Sequence, residues 1–163
     1  MHILVTGCSG ALGSSVVGSL LNDGHSLVGI DRNPIPPQTL AKYQEVHGNR
    51  LQTHVIDICE PEAVIRVFRQ HLVTGVIHLA AIPSPIGLPP TMVHNVNVTS
   101  SYNLLAIACE FGVKRLVQAS SVNAVGLAFT PRHLRRFPRL PMNEESEFVE
   151  ASDCPAACFI SLT

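Results

Sequence analysis

The chain has 163 residues, 46% hydrophobic and 14% charged, with no tryptophan and 5% aromatic residues; that suffices for one domain with a real core and suits a buried parallel sheet covered by helices. A formal net charge of -1 gives no reason to expect nucleic acid or an anionic membrane as partner. The opening MHILVTG is too short for the apolar region of a signal peptide, and no run of about 18 apolar residues occurs, so neither export nor a membrane span is expected and the setting reads as cytoplasmic.

Residues 2–6 (HILVT) read as a buried strand. Residues 11–22 carry Leu12, Val16, Val17, Leu20 and Leu21 at helical spacing, and Asp23-Gly24 stops that helix. Residues 26–30 make a second strand, followed by a loop holding Pro34, Pro36 and Pro37, which no central strand tolerates. Residues 51–56 make a third strand, and 60–71 a helix starting near Asp57 or the Glu60-Pro61 pair. Residues 75–80 form the fourth strand. A loop rich in Pro and Gly spans about 82–90, a long helix runs from about 91 to 110 and is closed by Gly112, and 114–119 form the fifth strand. This β-α alternation predicts an α/β fold, a doubly wound parallel sheet of about five strands with helices on both faces. Residues 127–163 have no clear period and read as a loop and an irregular tail, leaving residues 1–126 as the folded domain.

The five cysteines are Cys8, Cys59, Cys109, Cys154 and Cys158. The first three fall inside predicted core elements and read as buried small hydrophobes in a reducing compartment. No metal site is expected: Cys154 and Cys158 have no second ligand pair, and none of the eight histidines pairs at metal spacing beside a carboxylate. His78, in a core strand, reads as a satisfied buried histidine rather than a base. The basic run Arg132–Arg139 reads as solvated; the alternative is contact with a phosphate of a nucleotide-linked substrate.

The chemistry concentrates in Thr6-Gly7-Cys8-Ser9-Gly10-Ala11-Leu12-Gly13, a G-x-x-G-x-x-G run that follows a strand directly and opens a helix. Gly7 permits the tight turn, Gly10 lets backbone approach a pyrophosphate, and Gly13 lets the helix pack on the sheet. The helix dipole and free N–H groups then favour the anion. Gly7, Ser9, Gly10, Ala11, Leu12 and Gly13 are therefore the candidate phosphate-binding residues of a Rossmann-type nucleotide site. Asp31 ends the second strand, where a carboxylate accepts ribose hydroxyls and repels a 2′-phosphate, so NAD is favoured over NADP. The adjacent Arg32 is in principle able to hold that phosphate. Asp57 and Ile58 end the third strand, where the carboxylate bonds an adenine amino group and Ile58 covers the ring; a helix N-cap role for Asp57 fits equally well.

Together these residues resemble the extended branch of the short-chain dehydrogenase/reductase superfamily, its NAD-dependent epimerases and dehydratases. The resemblance covers about residues 1–126. TGCSGALG matches T-G-x-x-G-x-x-G, and Asp31 and Asp57 match the ribose and adenine positions. His78-Leu79-Ala80-Ala81 matches H-x-A-A, which implies that the backbone of Leu79, Ala80 and Ala81 passes beside the cofactor. Asn97-Val98 and Asn103-Leu104-Leu105 match N-V-x-G-T-x-N-L-L, with Ser100 and Ser101 replacing the usual Gly and Thr; Asn97 joins the implied cofactor site. Ala119-Ser120-Ser121 matches the serine run after the fifth strand. By the register of Val125-Gly126, the resemblance gives the polarising role on a substrate oxygen to Ser121, with Ser120 second; the alternative is a strand-end serine bonding local backbone.

The family's acid-base is the Tyr of Tyr-x-x-x-Lys, whose Lys and cofactor lower the Tyr pKa. That motif is missing. Tyr43 and Tyr102 are the only tyrosines, neither has Lys four residues on, and Lys114 is the last lysine. Leu140-Pro141-Met142-Asn143-Glu144-Glu145 resembles the lead-in to the tyrosine, but Ala156-Ala157-Cys158-Phe159 stands where Tyr is due. The expectation is a truncated, alternatively spliced or prematurely terminated product without the later strands and the substrate domain. The implied parent acts on a nucleotide-sugar or related small-molecule hydroxyl or carbonyl by hydride transfer, this chain being inactive as it stands. The alternative is a non-catalytic dinucleotide-binding sensor or interaction protein. A homodimer through the 91–110 helix is an expectation by analogy.

Overall fold

The computed structural model describes residues 1–84 and 86–121. The expectations for Val125-Gly126, the Arg132–Arg139 run, the 140–145 lead-in, Cys154, Cys158 and the tail lie outside the described residues. Contacts divide the chain into two units, and Met1–Ala81 with Thr99–Ala119 form the first.

This first unit is the predicted doubly wound sheet. Strands β1 (His2–Thr6), β2 (Ser26–Asp31), β3 (Leu51–Val55), β4 (Gly75–His78) and β5 (Arg115–Gln118) are all parallel and lie in the order β3-β2-β1-β4-β5. The register sets Val5 beside Gly29 on one side and Ile77 on the other. Chain direction across the sheet therefore reverses between β1 and β4, which leaves a crevice at the carboxyl ends of those two strands.

The period of two sends alternate residues to opposite faces. Leu4, Val28, Ile30 and Val76 face one way and pack with Val64, Val67 and Phe68 of α3 (Pro61–Gln70) and Leu104, Ile107 and Ala108 of α5 (Ser100–Glu110). Ile3, Val5 and Leu27 face the other way and pack with Val17 and Leu21 of α1 (Ala11–Asn22). Leu4, Val5, Leu27 and Val28 are all 0% exposed, and each such side chain contributes roughly 1.5–3 kcal/mol relative to an exposed one. These residues explain why β1 and β2 read as continuous aliphatic runs.

A helix stands where the Pro-rich stretch predicts only loop. In α2 (Pro37–His47) no residue is buried, so it carries no apolar stripe to read. It starts because Pro37 occupies the first turn, where a proline's fixed φ suits a helix and its missing N–H costs nothing. It is held by partly buried Leu40 and Tyr43, and the Tyr43 hydroxyl donates to the Ser14 carbonyl at 3.0 Å. Arg50 donates through Nη1 to the Leu21 carbonyl at 3.0 Å and satisfies the end of α1.

The predicted helix over 91–110 runs from Pro90 to Glu110 but is not α-helical throughout. It consists of α4 (Pro90–His94), a π-helical turn (Asn95–Thr99) and α5. The described part of the second unit is Ile82–Val98 without Pro85, together with Ser120 and Ser121. There Asn97, 7% exposed, clamps the backbone of Ile82: its Oδ1 accepts the Ile82 N–H at 2.7 Å and its Nδ2 donates to the Ile82 carbonyl at 3.1 Å.

The reading of three buried cysteines holds for Cys8 alone. Cys59 is half-buried in the turn before α3, and Cys109 is exposed on the outer side of α5. Likewise Leu12, counted in the apolar stripe of α1, is 59% exposed. Among the described residues no helix is long and apolar enough to cross a membrane.

Candidate dinucleotide site

The glycine turn is built as its spacing predicts. Gly7 has φ +71°, which only glycine adopts without strain, and its N–H donates to the Ile30 carbonyl at 2.8 Å. A Cβ at Gly7 would lie 2.8 Å from the Ala80 nitrogen and 2.9 Å from the Leu79 carbonyl carbon, so the turn rests directly on backbone at the end of β4. A Cβ at Gly13 would run into the Gly7 carbonyl. At Gly10 the nearest atom is the Gly7 oxygen at 3.3 Å, and the position is exposed.

Gly10 is also the N-cap of α1 and brings no side chain to cap it. The Ser14 N–H is the first to find its i−4 carbonyl, Gly10 O at 2.9 Å. The N–H groups of Ala11, Leu12 and Gly13 lie ahead of that ladder, with no acidic residue in the first turn to occupy them. An uncapped helix start beside an exposed glycine fits a pyrophosphate. Leu12 is exposed because it sits at this open start rather than on the packed face of α1.

Asp31 is braced from both sides. Its Oδ2 accepts the Ser9 N–H at 3.0 Å and its Oδ1 accepts the Asn33 N–H at 3.0 Å. The Ser9 hydroxyl donates to the Asn33 carbonyl at 2.7 Å and closes the loop between the two chains. Each carboxylate oxygen keeps acceptor capacity for a further donor, which suits a pair of vicinal hydroxyls. Arg32 is exposed.

Asp57 follows β3 at the same sheet edge, since the Ile56 N–H bonds the Asp31 carbonyl at 2.9 Å. The N-cap of α3 is Glu60, not Asp57. The Asp57 carboxylate instead accepts the Cys59 N–H at 2.8 Å and its carbonyl the Glu60 N–H at 3.0 Å, which shapes the turn ahead of the helix. Ile58 is 8% exposed and belongs to the α3–α5 core, so its side chain is engaged in packing.

Behind Leu79 and Ala80 lies a buried polar chain that sequence reasoning did not assemble. The Thr6 Oγ1 accepts the N–H groups of Leu79 and Ala80 at 3.1 and 3.0 Å and meets His78 Nδ1 at 2.6 Å. His78 Nε2 in turn lies 2.8 Å from the Ser101 hydroxyl. Thr6, His78 and Ser101 are 0%, 3% and 2% exposed. Burial alone lowers the His78 pKa from 6.5 to about 4, so the ring is neutral. Ser101 reads in sequence as a departure from the usual Thr, yet it keeps the hydroxyl that the contact needs. The N–H groups of Leu79 and Ala80 are spent on Thr6 and offer a ligand no donor; Ala81, beyond them, is exposed.

The structure thus brings Gly7, Ser9, Gly10, Ala11, Leu12, Gly13, Asp31, Leu79 and Ala80 to one end of the sheet. Asn97, Ser120 and Ser121 belong to the second unit. Ser120 and Ser121 directly follow Ala119, whose N–H bonds the His78 carbonyl at 3.0 Å.

This parallel sheet, its reversal point and its uncapped glycine turn define a Rossmann-type dinucleotide-binding fold. The NAD dependent epimerase/dehydratase family model matches residues 3–150, and the chain belongs to that family. It is 32% identical over 142 residues to the UDP-glucose 4-epimerase of Bacillus subtilis (strain 168), a match covering 85% of this chain and 42% of that protein. The structure of UDP-glucose-4-epimerase from Stenotrophomonas maltophila, with bound NAD and formylated UDP-arabinopyranose, is similar at a TM-score of 0.66 and 26% identity, covering 77% of this chain and 38% of the other. The Bifidobacterium longum UDP-glucose 4-epimerase, in complex with NAD+ and UDP, shares the fold at a TM-score of 0.80 and 23% identity, over 98% of this chain and 46% of that one. The matches span 39% and 42% of the length of two of the curated relatives.

Proposed function

We propose that this chain is the NAD-binding part of an enzyme of the epimerase, dehydratase or reductase kind, acting on a nucleotide-linked sugar or a related hydroxyl or carbonyl compound. The observation that carries the reading is Asp31, locked by Ser9 and Asn33 beside an uncapped glycine turn. Ala11, Leu12 and Gly13 hold the pyrophosphate through their N–H groups, Asp31 accepts the ribose hydroxyls, and Asp57 lies toward the adenine. NAD, when bound, supplies a hydride acceptor and donor. Ser121, with Ser120 second, orients the substrate oxygen by a hydrogen bond. The similarity to UDP-glucose 4-epimerases supports a uridine diphosphate sugar as the substrate class. A reducing, cytoplasmic setting fits the free thiols of Cys8, Cys59 and Cys109.

No Tyr-x-x-x-Lys occurs in these 163 residues, and without a residue to move the proton the chain by itself binds cofactor and completes no turnover. The same absence favours, for this chain alone, a second reading as a dinucleotide-binding sensor. Calorimetric titration with NAD and NADP, beside an assay for UDP-glucose epimerisation, tests both parts. NAD is expected to bind more tightly than NADP, with no product formed. Asp31→Asn is expected to weaken NAD about tenfold and to narrow the preference, since a hydrogen bond to a charged group is worth roughly 1.5–3 kcal/mol. Tighter binding of NADP than of NAD contradicts the role of Asp31, and epimerisation by the 163 residues contradicts the inactivity.

A further inference from the structure

We infer that His78 is a positioning residue for the dinucleotide: held as the Nε2–H tautomer between Thr6 and Ser101, it keeps the Leu79–Ala80 backbone seated against the Gly7 turn. The inference rests on the reading of that turn as the cofactor site.

The tautomer follows from counting protons. A threonine hydroxyl has one proton and two lone pairs. The lone pairs of Thr6 Oγ1 are taken by the N–H groups of Leu79 and Ala80, which can only donate. Its one proton must therefore go to His78 Nδ1, 2.6 Å away, and that nitrogen is an acceptor. A neutral imidazole with a bare Nδ1 carries its proton on Nε2, which then donates to the Ser101 hydroxyl at 2.8 Å. The chain has one direction, from backbone N–H through Thr6 to His78 and on to α5.

The direction matters for position. With the proton on Nδ1, the histidine would press a third donor on Thr6, and the threonine would have to release Leu79 or Ala80. Those are the residues whose backbone lies where a Cβ of Gly7 would lie, at 2.8 and 2.9 Å. Thr6 itself immediately precedes Gly7. The Leu79 N–H also bonds the Thr6 carbonyl at 3.3 Å, whereas Thr6 Oγ1 is the acceptor of Ala80; losing an Oγ1 bond therefore loosens the β4 end against the glycine turn, and a shift of a few tenths of an ångström misplaces the wall beside the pyrophosphate. Ser101 is the far anchor: its oxygen receives the Nε2 proton that the Thr6 bond dictates and holds the ring to α5.

The test combines nitrogen-15 NMR of histidine-labelled chain with NAD titration. His78 is expected to show the neutral Nε2–H tautomer at pH 7. Ser101→Ala, which removes the acceptor but little volume, is expected to stay folded, to keep the Nε2–H tautomer while shifting the Nε2 resonance as that N–H loses its acceptor, and to bind NAD about fivefold to tenfold more weakly, as loss of the buried His78–Ser101 hydrogen bond implies. Ser101→Thr, which keeps the hydroxyl, is expected to restore both. His78→Phe is a harsher variant, expected to lose at least as much affinity. An Nδ1–H or protonated His78 at pH 7 overturns the inference. So does a folded Ser101→Ala chain that binds NAD as tightly as the parent, in which case the cofactor reading stands. A parent chain that binds no NAD overturns the cofactor reading and this inference with it.

Discussion

A methyl group at Gly13 would stand on the carbonyl oxygen of Gly7, while a methyl group at the exposed Gly10 would meet that oxygen only at 3.3 Å, a contact that a shift of a few tenths of an ångström relieves. The two glycines therefore fail in different assays. Gly13→Ala should destabilise the fold by on the order of 3 kcal/mol, since the clash is with backbone that cannot step aside. Gly10→Ala should unfold at the parent's denaturant midpoint yet bind NAD at least tenfold more weakly, an estimate of about 1.4 kcal/mol or more. Denaturation curves and titrations on the same two proteins separate the effects; equal stability losses at both positions would contradict the geometry. His78 makes a second prediction at this scale. Its folded pKa of about 4 lies below the ordinary 6.5, so the unfolded chain binds more protons between those values. Stability is then fully present above about pH 6.5 and is lost as the pH falls toward 4, by up to about 3 kcal/mol. His71 acts with the same sign: burial lowers its pKa first, then the nearby His54, whose Nε2 lies 2.8 Å from its own, then His2. Urea unfolding at pH 7 and pH 5 should show the loss, and a flat profile would contradict it.

At the scale of elements, legibility tracks burial. Strands β1, β2 and β4 were readable because Leu4, Val5, Leu27, Val28 and Val76 are buried and aliphatic; α3 was readable because Ala63, Val64, Val67 and Phe68 all face the core. The helix α2 was not, because its contribution is made by single groups. Tyr43 is one of them, and Tyr43→Phe should cost about 1 kcal/mol, the usual value of one hydrogen bond, while leaving the far-ultraviolet spectrum unchanged. A thermal scan checks this. The glycine turn and Asp31 were legible because each sits at a strand end in local sequence, whereas the Leu79–Ala80 backbone was pointed to only by the family resemblance. The Thr6–His78–Ser101 chain was not, because Thr6 lies 72 residues before His78, and His78 lies 23 before Ser101. Nothing in local spacing shows that three hydroxyl and imidazole groups meet across β1, β4 and α5. The π turn at Asn95–Thr99 was hidden for another reason: an extra residue per turn leaves apolar spacing almost unchanged.

For the whole molecule, the consequence of a cradle made by several strand ends is that ligand and fold are linked. NAD at one hundred times its Kd should stabilise the chain by about 2.7 kcal/mol, provided only the folded form binds. For a chain of this size that corresponds to a rise in Tm of roughly 5–10 °C, which differential scanning fluorimetry resolves. NADP at equal concentration should raise it less. Cys8 offers a way to watch the same linkage in time. Its thiol is 2% exposed, its pKa is pushed up to about 11 chiefly by burial, and its Sγ lies 2.8 Å from where a Cβ of Gly29 would stand. A thiol in that state reacts only when the turn lifts away from β2. The exposed Cys109 should be alkylated at once, and Cys8 only at the frequency of opening. The glycine turn proposed for the phosphates thus carries a native stopwatch, and an occupied cradle should slow it.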